Sequence, residues 1–595
     1  GHTTNMSTQG DSSYVEMDDS SDQQDSGSGS KYSINADPNS NGAKSCLLRL
    51  ITYGMRTDAS KTLRDTTVAP SSSKSWSNRF QFLLASIGFA VGIGNVWRFP
   101  YIAYTYGGGA FLIPYILAIC FLGLPLFMLE LLLGQLTRTH ATASWHKVHH
   151  RLAGLGMATG VVSIVVGSYY TVLLGWSLLY FGHSFRSPLP WAAPFNVTTN
   201  ATYAQSFFED DVLHLTSSIG KVTIPDWQQV LALLAVSIFV FVCTVKGTKI
   251  LGKVVLITVI TPYVLLVVLF FRGVTLKGAG NGILFFVKPD FSKLADIEVW
   301  IQATTQVFFS LSPGFGVITL YGSWMPAKQK SKIDIFVIVI VNSLTSIFAG
   351  FVVFAILGHL AHVTGRPIDS VAQDGPGLAF IVYPEALALM PGRNFFAVVF
   401  FLMLLMLGVD SQFGFMESIV YALTSVPFLK NLKVYWVSLI VTCLLFVGGI
   451  IYTTGSGLYW LGLFDHFVPT FALIAMGFLE FVGIAWIFGA TNFFNEVEKQ
   501  TGQKYSRVWA WIWMYIAPVV LLVLGVATVV KEIQKPFKDM PQWALALGWM
   551  VAIIPLAVIF VAAVMGKPSS KDNSDGVLSR NIANESDEEI QLEDI

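Results

Sequence analysis

The run G-F-A-V-G-I-G-N-V-W-R-F-P-Y, Gly88 to Tyr101, lies inside a hydrophobic segment from about Phe80 to Tyr104, and it is poorly suited to a helix that faces lipid. Glycines at 88, 92 and 94, the carboxamide of Asn95, the cation of Arg98 and Pro100 each weaken such a helix; together they argue against an unbroken one. Non-helical backbone survives at membrane depth only where it is buried in protein or lines a watery cavity. The segment therefore reads as a helix broken near Ala90 to Gly94, with carbonyls freed to coordinate a cation and amides freed to hold a carboxylate. Close helix packing would explain the glycines alone, but not Asn95 and Arg98 in the same turns.

Only 12% of the 595 residues are charged and 53% are hydrophobic, with a mean hydropathy of +0.59. Soluble domains carry roughly 25% charge, so this is the composition of a polytopic membrane protein. Twelve apolar segments are long enough to cross the hydrocarbon core: 80–104, 109–135, 154–182, 227–245, 254–271, 300–323, 333–361, 394–423, 435–452, 457–486, 509–530 and 543–565. Before them, residues 1–73 are rich in Ser, Asp, Asn and Gln, as a disordered tail would be. No cleavable signal pattern opens the chain, so the first segment is expected to direct insertion. Residues 566–595 form an acidic tail that reads as solvated disorder; the alternative is that its terminal Ile595 is captured by a peptide-binding domain that accepts an added strand and a carboxylate.

An even number of crossings puts both termini on one side, and the basic loops 138–151, 246–253 and 328–332 fall on that side, which makes it the cytosol. The expected location is the plasma membrane, multi-pass, within a 74–565 membrane domain that stands alone or as a homo-oligomer. The loop 183–225 lies outside and carries two glycosylation sequons, at Asn196 and Asn200. None of the cysteines, Cys46, Cys120, Cys243 and Cys443, lies in an outer loop, so no structural disulfide is expected. A net charge of zero gives no general attraction to nucleic acid.

A second interruption, Ser310 to Gly316 (S-L-S-P-G-F-G), places proline and two glycines at the middle of the sixth segment. Paired interruptions five segments apart point to an all-α transporter fold of twelve transmembrane helices. Its inverted five-helix repeat would have segments one and six unwound at mid-membrane around the site.

Four stretches carry a family resemblance: G-N-V-W-R-F-P-Y at 94–101, G-G-G-A-F-L-I-P-Y at 107–115, Q-V-F-F-S-L-S-P-G-F-G at 306–316 and G-P-G-L-A-F-I-V-Y-P-E-A at 375–386. The chain resembles the neurotransmitter:sodium symporter family over about residues 74–565. The resemblance implies two sodium ions, one chloride and a small zwitterionic substrate. It assigns the first sodium to the Ala90 carbonyl, Asn95, Ser310 and Asn342. The second falls to the Gly88, Val91 and Leu407 carbonyls with Asp410 and Ser411, oxygen donors suited to a hard cation. Chloride falls to Tyr115, Gln306, Ser310, Asn342 and Ser346. Chloride-independent relatives carry a carboxylate at the position of Ser346, so a neutral hydroxyl there implies an anion recruited to offset sodium.

Monoamine carriers of that family have an aspartate where this chain has Gly92, which leaves the amides of Ile93 and Gly94 for a substrate carboxylate. The resemblance adds the Tyr170 hydroxyl to that carboxylate and surrounds the amine with carbonyls of Ala90, Phe309, Leu311 and Ser312. Val166, Phe315, Ser411 and Phe415 would bound the substrate side chain. Phe315 replaces a bulkier tryptophan of glycine carriers, and Ser312 resembles α-amino-acid carriers, whereas D-S-Q-F at 410–413 resembles the GABA and taurine branch. Small neutral α-amino acids and ω-amino acids both remain open. Arg98 and Asp465 would close the outer gate. The usual inner arginine and aspartate are replaced by Ser73 and Ser425, leaving Trp76, with Lys74 over Trp324, to close a looser inner gate. That loss admits a non-transporting sensor or a leaky channel as rivals; nothing suggests an enzyme.

Overall fold

The computed structural model describes residues 75–192 and 202–565, except 246, 369–374, 425, 427, 428, 430, 538 and 539. The tails, the sequons Asn196 and Asn200, and Ser73, Lys74 and Ser425 lie outside the described residues. Within them the chain is helical, with no strand and a single isolated bridge between Gly108 and Pro289. Cys120, Cys243 and Cys443 are free thiols.

Ten helices are long and apolar enough to cross a membrane, and one further pair, Arg79–Ala90 and Ile93–Thr105, passes the same test together with a bend of 60°. The twelve crossings of the sequence thus become ten plus a bent pair. The difference is the sixth segment, divided into Ile297–Leu311 and Val317–Ser323, pieces of 15 and 7 residues. Ser312, Gly314 and Gly316 between them all have positive φ, a region that ends an α-helix. The tenth segment runs far beyond its expected end, as one apolar helical stretch Gly457–Thr501.

Burial sorts the helices. The most apolar window of His150–His183 is 78% buried and that of Gln542–Met565 only 22%, so the first is a central pillar and the second presents its side chains to lipid. His150–His183 packs along Arg393–Thr424, which in turn lies against Arg79–Ala90 and Thr248–Val274. These four elements frame the break in the first span. Elsewhere backbones touch: a Cβ on Gly134 would come within 1.9 Å of the Thr319 carbonyl oxygen, so the helix Leu124–Thr137 can meet Val317–Ser323 this closely only through glycine.

Candidate functional site

The first helix starts at Asn78, whose side chain accepts from the Gln81 amide at 2.8 Å, and stops at Ala90. Val91 and Gly92 are extended, and the helix restarts with Ile93–Val96. Asn95 makes this restart: its Oδ1 accepts from the Gly92 amide at 3.0 Å, the backward reach of a capping box. Its Nδ2 donates to Asn342 Oδ1 and Ser346 Oγ, both at 2.8 Å, and to Ser310 Oγ at 3.1 Å. Asn342 Nδ2 donates to Ser310 Oγ at 2.8 Å. One carboxamide therefore ties the break in the first span to the sixth and seventh segments.

The Tyr115 hydroxyl reaches Ser346 at the edge of this knot. Gln306, expected in the same set, is fully buried, and neither amide atom has a hydrogen-bond partner among the described residues. A buried amide left unpaired costs about 1–3 kcal/mol. An acceptor at Nε2, such as an anion, relieves part of that cost, so the donor set of Tyr115, Gln306, Ser310, Asn342 and Ser346 suits chloride.

Asp410 lies against the backbone of the first helix; a Cβ on Gly88 would be 2.9 Å from its Oδ2. Thr258 donates to Asp410 Oδ1 at 2.5 Å, and the adjacent Ser411 hydroxyl donates to the Phe89 carbonyl at 3.1 Å. Asp410 is buried, and the partner described for it is that neutral hydroxyl. A carboxylate so placed, beside the carbonyl-bearing stretches that hold Gly88, Val91 and Leu407, suits a cation of oxygen preference.

Between these polar clusters lies a cavity lined by Ala90, Gly92, Gly94, Val166, Tyr170, Phe309, Ser312, Phe315, Ser411 and Phe415, with Phe89, Asn95 and Ser310 besides. Of the expected substrate residues, Ile93 and Leu311 do not line it. The Tyr170 hydroxyl accepts from the Ile93 amide at 3.3 Å. Phe415 meets Tyr170 at 5.7 Å and Phe315 at 5.1 Å between ring centres. The space left, about 20 Å³, is close to what one water needs. A solute larger than water enters only when Phe309 and its neighbours move, which makes this a closed conformation. Two hydroxyls not expected from the sequence, Ser163 and Ser418, donate to the Phe315 carbonyl at 2.9 and 2.7 Å and fix the second interruption from below.

At one end, Arg98 Nη1 is 4.0 Å from Asp465 Oδ2, and Asp465 Oδ1 accepts from Tyr169 at 2.9 Å. The opposite end closes on Trp76, which donates from its backbone amide to Trp324 O and from Nε1 to Tyr321 O, each at 3.2 Å. Its ring meets Trp324 edge-on at 5.5 Å, and Trp324 meets Tyr421 at the same distance. Beside this aromatic plug Arg79 forms a forked pair with buried Asp334, at 2.9 Å from Nε and 2.7 Å from Nη2 to Oδ1. Sequence reasoning missed that pair and Tyr169.

A bundle of membrane-length helices, broken where buried oxygens and orphaned donors gather beside a small cavity, is the architecture of an ion-linked carrier. The model of the sodium:neurotransmitter symporter family matches residues 73–567, and the chain belongs to that family, which consists of transporters and not enzymes. It is an integral membrane protein with a small-molecule substrate. The chain is 38% identical to the sodium-dependent serotonin transporter of Drosophila melanogaster, over 82% of each chain. It is 38% identical to the creatine transporter of Torpedo marmorata, over 82% of this chain and 86% of that one. It is 36% identical to the sodium- and chloride-dependent neutral and basic amino acid transporter B(0+) of Mus musculus, over 82% of this chain and 85% of that one.

Proposed function

We propose that this protein is a sodium- and chloride-coupled symporter of a small neutral α-amino acid, working by alternating access in the plasma membrane with both termini cytosolic. The observation that carries the substrate class is the space at Gly92. A Cβ there would lie 2.8 Å from Tyr170 Oη and 3.0 Å from Ser411 Oγ, so no acidic side chain fits to pair a bare amine. The Ile93 amide and the Tyr170 hydroxyl meet at the same place, and a substrate carboxylate is the group they would receive.

In this reading two sodium ions travel as cargo. The first is held by the Ala90 carbonyl, Asn95, Ser310 and Asn342, the second by Gly88, Val91, Leu407, Asp410 and Ser411. Chloride on Tyr115, Gln306, Ser310, Asn342 and Ser346 offsets their charge in low dielectric. The amine faces the carbonyls of Ala90, Phe309, Leu311 and Ser312, and Val166, Phe315 and Phe415 bound the side chain. Arg98 over Phe309 closes the outer end; the plug at Trp76 then parts to release the cargo inward. Each charge moved through the potential contributes about 2.3 kcal/mol per 100 mV.

The test is uptake of labelled alanine, proline, leucine, GABA and taurine by cells expressing the full chain, in sodium chloride and with either ion replaced. Accumulation of an α-amino acid that needs both ions supports the reading. Accumulation of GABA or taurine alone moves it to ω-amino acids, and binding without accumulation replaces the symporter with a sensor.

A further inference from the structure

Glu417 is a buried carboxylate for which the symporter reading has no use. It is 4% exposed, and its Oε2 is buried without a hydrogen-bond partner among the described residues. It sits on helix Arg393–Thr424 in the series Asp410, Gly414, Glu417, Tyr421, whose spacing of four, three and four residues puts all of them on one face. That face runs down the first span. At Asp410 it meets the backbone of Gly88, at Gly414 a Cβ would be 2.4 Å from the Phe89 ring, and at Tyr421 it reaches Trp324 of the aromatic plug. Glu417 lies two turns from Asp410, about 10 Å along the axis at 1.5 Å per residue, between the second sodium set and the Trp76 end.

A carboxylate at such depth needs a proton or a cation, because a lone buried charge is strongly disfavoured. No ion pair supplies one among the described residues, and the acidic neighbour up the face is itself a proposed sodium ligand. We infer that Glu417 is a further, transient sodium site on the inner path: it receives the ion leaving Asp410 and Ser411 when the plug at Trp76 parts, and it meets sodium that enters past the parted plug. The inference rests on the symporter reading. It adds a sided property, since Glu417 lies on the inner route alone and has no part in sodium arriving past Arg98.

The experiment uses vesicles holding the full chain in a known orientation, preloaded with labelled alanine, proline, leucine, GABA and taurine. Efflux is measured against sodium on the cytosolic face and uptake against sodium on the outer face. Glu417→Gln keeps the shape and removes the charge. It is expected to raise the cytosolic sodium needed for half-maximal efflux severalfold and to leave the outer sodium requirement unchanged, with Glu417→Asp restoring most of the difference. Equal behaviour of Glu417→Gln and the unaltered chain overturns the inference, because glutamine mimics a carboxyl that only ever holds a proton. A shift of equal size on both faces, or Glu417→Asp as impaired as Glu417→Gln, assigns the residue to packing and overturns it too. No sodium-dependent flux in the unaltered chain removes the symporter reading itself, and this site with it.

Discussion

The guanidinium of Arg98 lies 4.5 Å over the ring of Phe309, whereas its carboxylate partner Asp465 stands 4.0 Å off and is already bonded to Tyr169. The closure at this end, proposed to be the outer one, is therefore a cation resting on an aromatic lid, with a secondary ion pair. A partly desolvated cation over a ring is worth about 0.5–2 kcal/mol, and an ion pair in partial contact with water about 0.2–1 kcal/mol. Phe309→Leu is accordingly expected to raise the KM for uptake more than Asp465→Asn does. Side-by-side uptake curves of the two variants check this order; the reverse order would mean that the ion pair carries the gate.

Thr258 is the one described partner of Asp410, and it comes from a helix with no other assigned role. Removing its hydroxyl leaves a buried carboxylate oxygen unpaired, a loss of about 1–3 kcal/mol for the site. Thr258→Val is expected to raise the sodium concentration for half-maximal uptake by roughly 5- to 100-fold, 1.4 kcal/mol being tenfold. Thr258→Ser is expected to stay near the starting value. Sodium titration of uptake in the two variants separates hydroxyl from shape.

What the sequence made legible follows from cost. Glycine, asparagine and arginine inside an apolar run are expensive there, so the break at Val91 and Gly92 could be anticipated, whereas the capping of the restart by Asn95 could not. Ser163 and Ser418 could not, because a hydroxyl in an apolar helix bonds by default to the carbonyl four residues back, as Thr171, Ser177 and Ser237 do here; nor could Thr258, whose hydroxyl lies 3.1 Å from the Val254 carbonyl in just that way as well as against Asp410. Only tertiary placement tells the two uses apart. The pairing of Arg79 with Asp334 spans 255 residues, and no spacing rule reaches that far. The helix count differed for a related reason: residues 312–316 leave the sixth segment in pieces too short to count as a span.

Gly92 has no room for a side chain, because a methyl carbon there would sit 2.8 Å from Tyr170 Oη and 3.0 Å from Ser411 Oγ. Gly92→Ala forces one of those oxygens away from the place where the substrate carboxylate is proposed to bind. It is expected to lose at least tenfold in affinity, about 1.4 kcal/mol, for any α-amino acid that the chain carries. Competition binding on purified protein measures it, and an unchanged affinity would move the carboxylate elsewhere.

Ser346 is fully buried and accepts from Asn95 Nδ2 at 2.8 Å, inside the set proposed for chloride. Replacing chloride by gluconate is expected to abolish most uptake. Ser346→Glu supplies a fixed negative charge in the same place, so uptake by that variant is expected to persist without chloride. A variant that remains chloride-dependent would place the anion away from Ser346.

Arg79 holds Asp334 through a fork, while Gln329 donates to Asp334 Oδ2 at 3.0 Å. The arginine begins the first helix and the aspartate begins Lys332–Thr364, so the pair staples the Trp76 end of the first span to the seventh segment. Asp334 is buried but Arg79 is half exposed, and breaking the pair from the arginine side strands the carboxylate. Loss of one partner of a buried pair costs about 3–5 kcal/mol, discounted here because water reaches the arginine. Trp76 precedes Arg79 by only three residues, so the stranded charge is expected to be relieved by parting the plug. Arg79→Ala should therefore favour the conformation open at that end, seen as faster alkylation of a cysteine placed at Thr159, which faces Gly316 below the cavity. Arg79→Lys keeps one hydrogen bond of the fork and is expected to fall between the two. Equal alkylation rates in all three proteins would show that the aromatic plug at Trp76 and Trp324 closes this end without the ion pair.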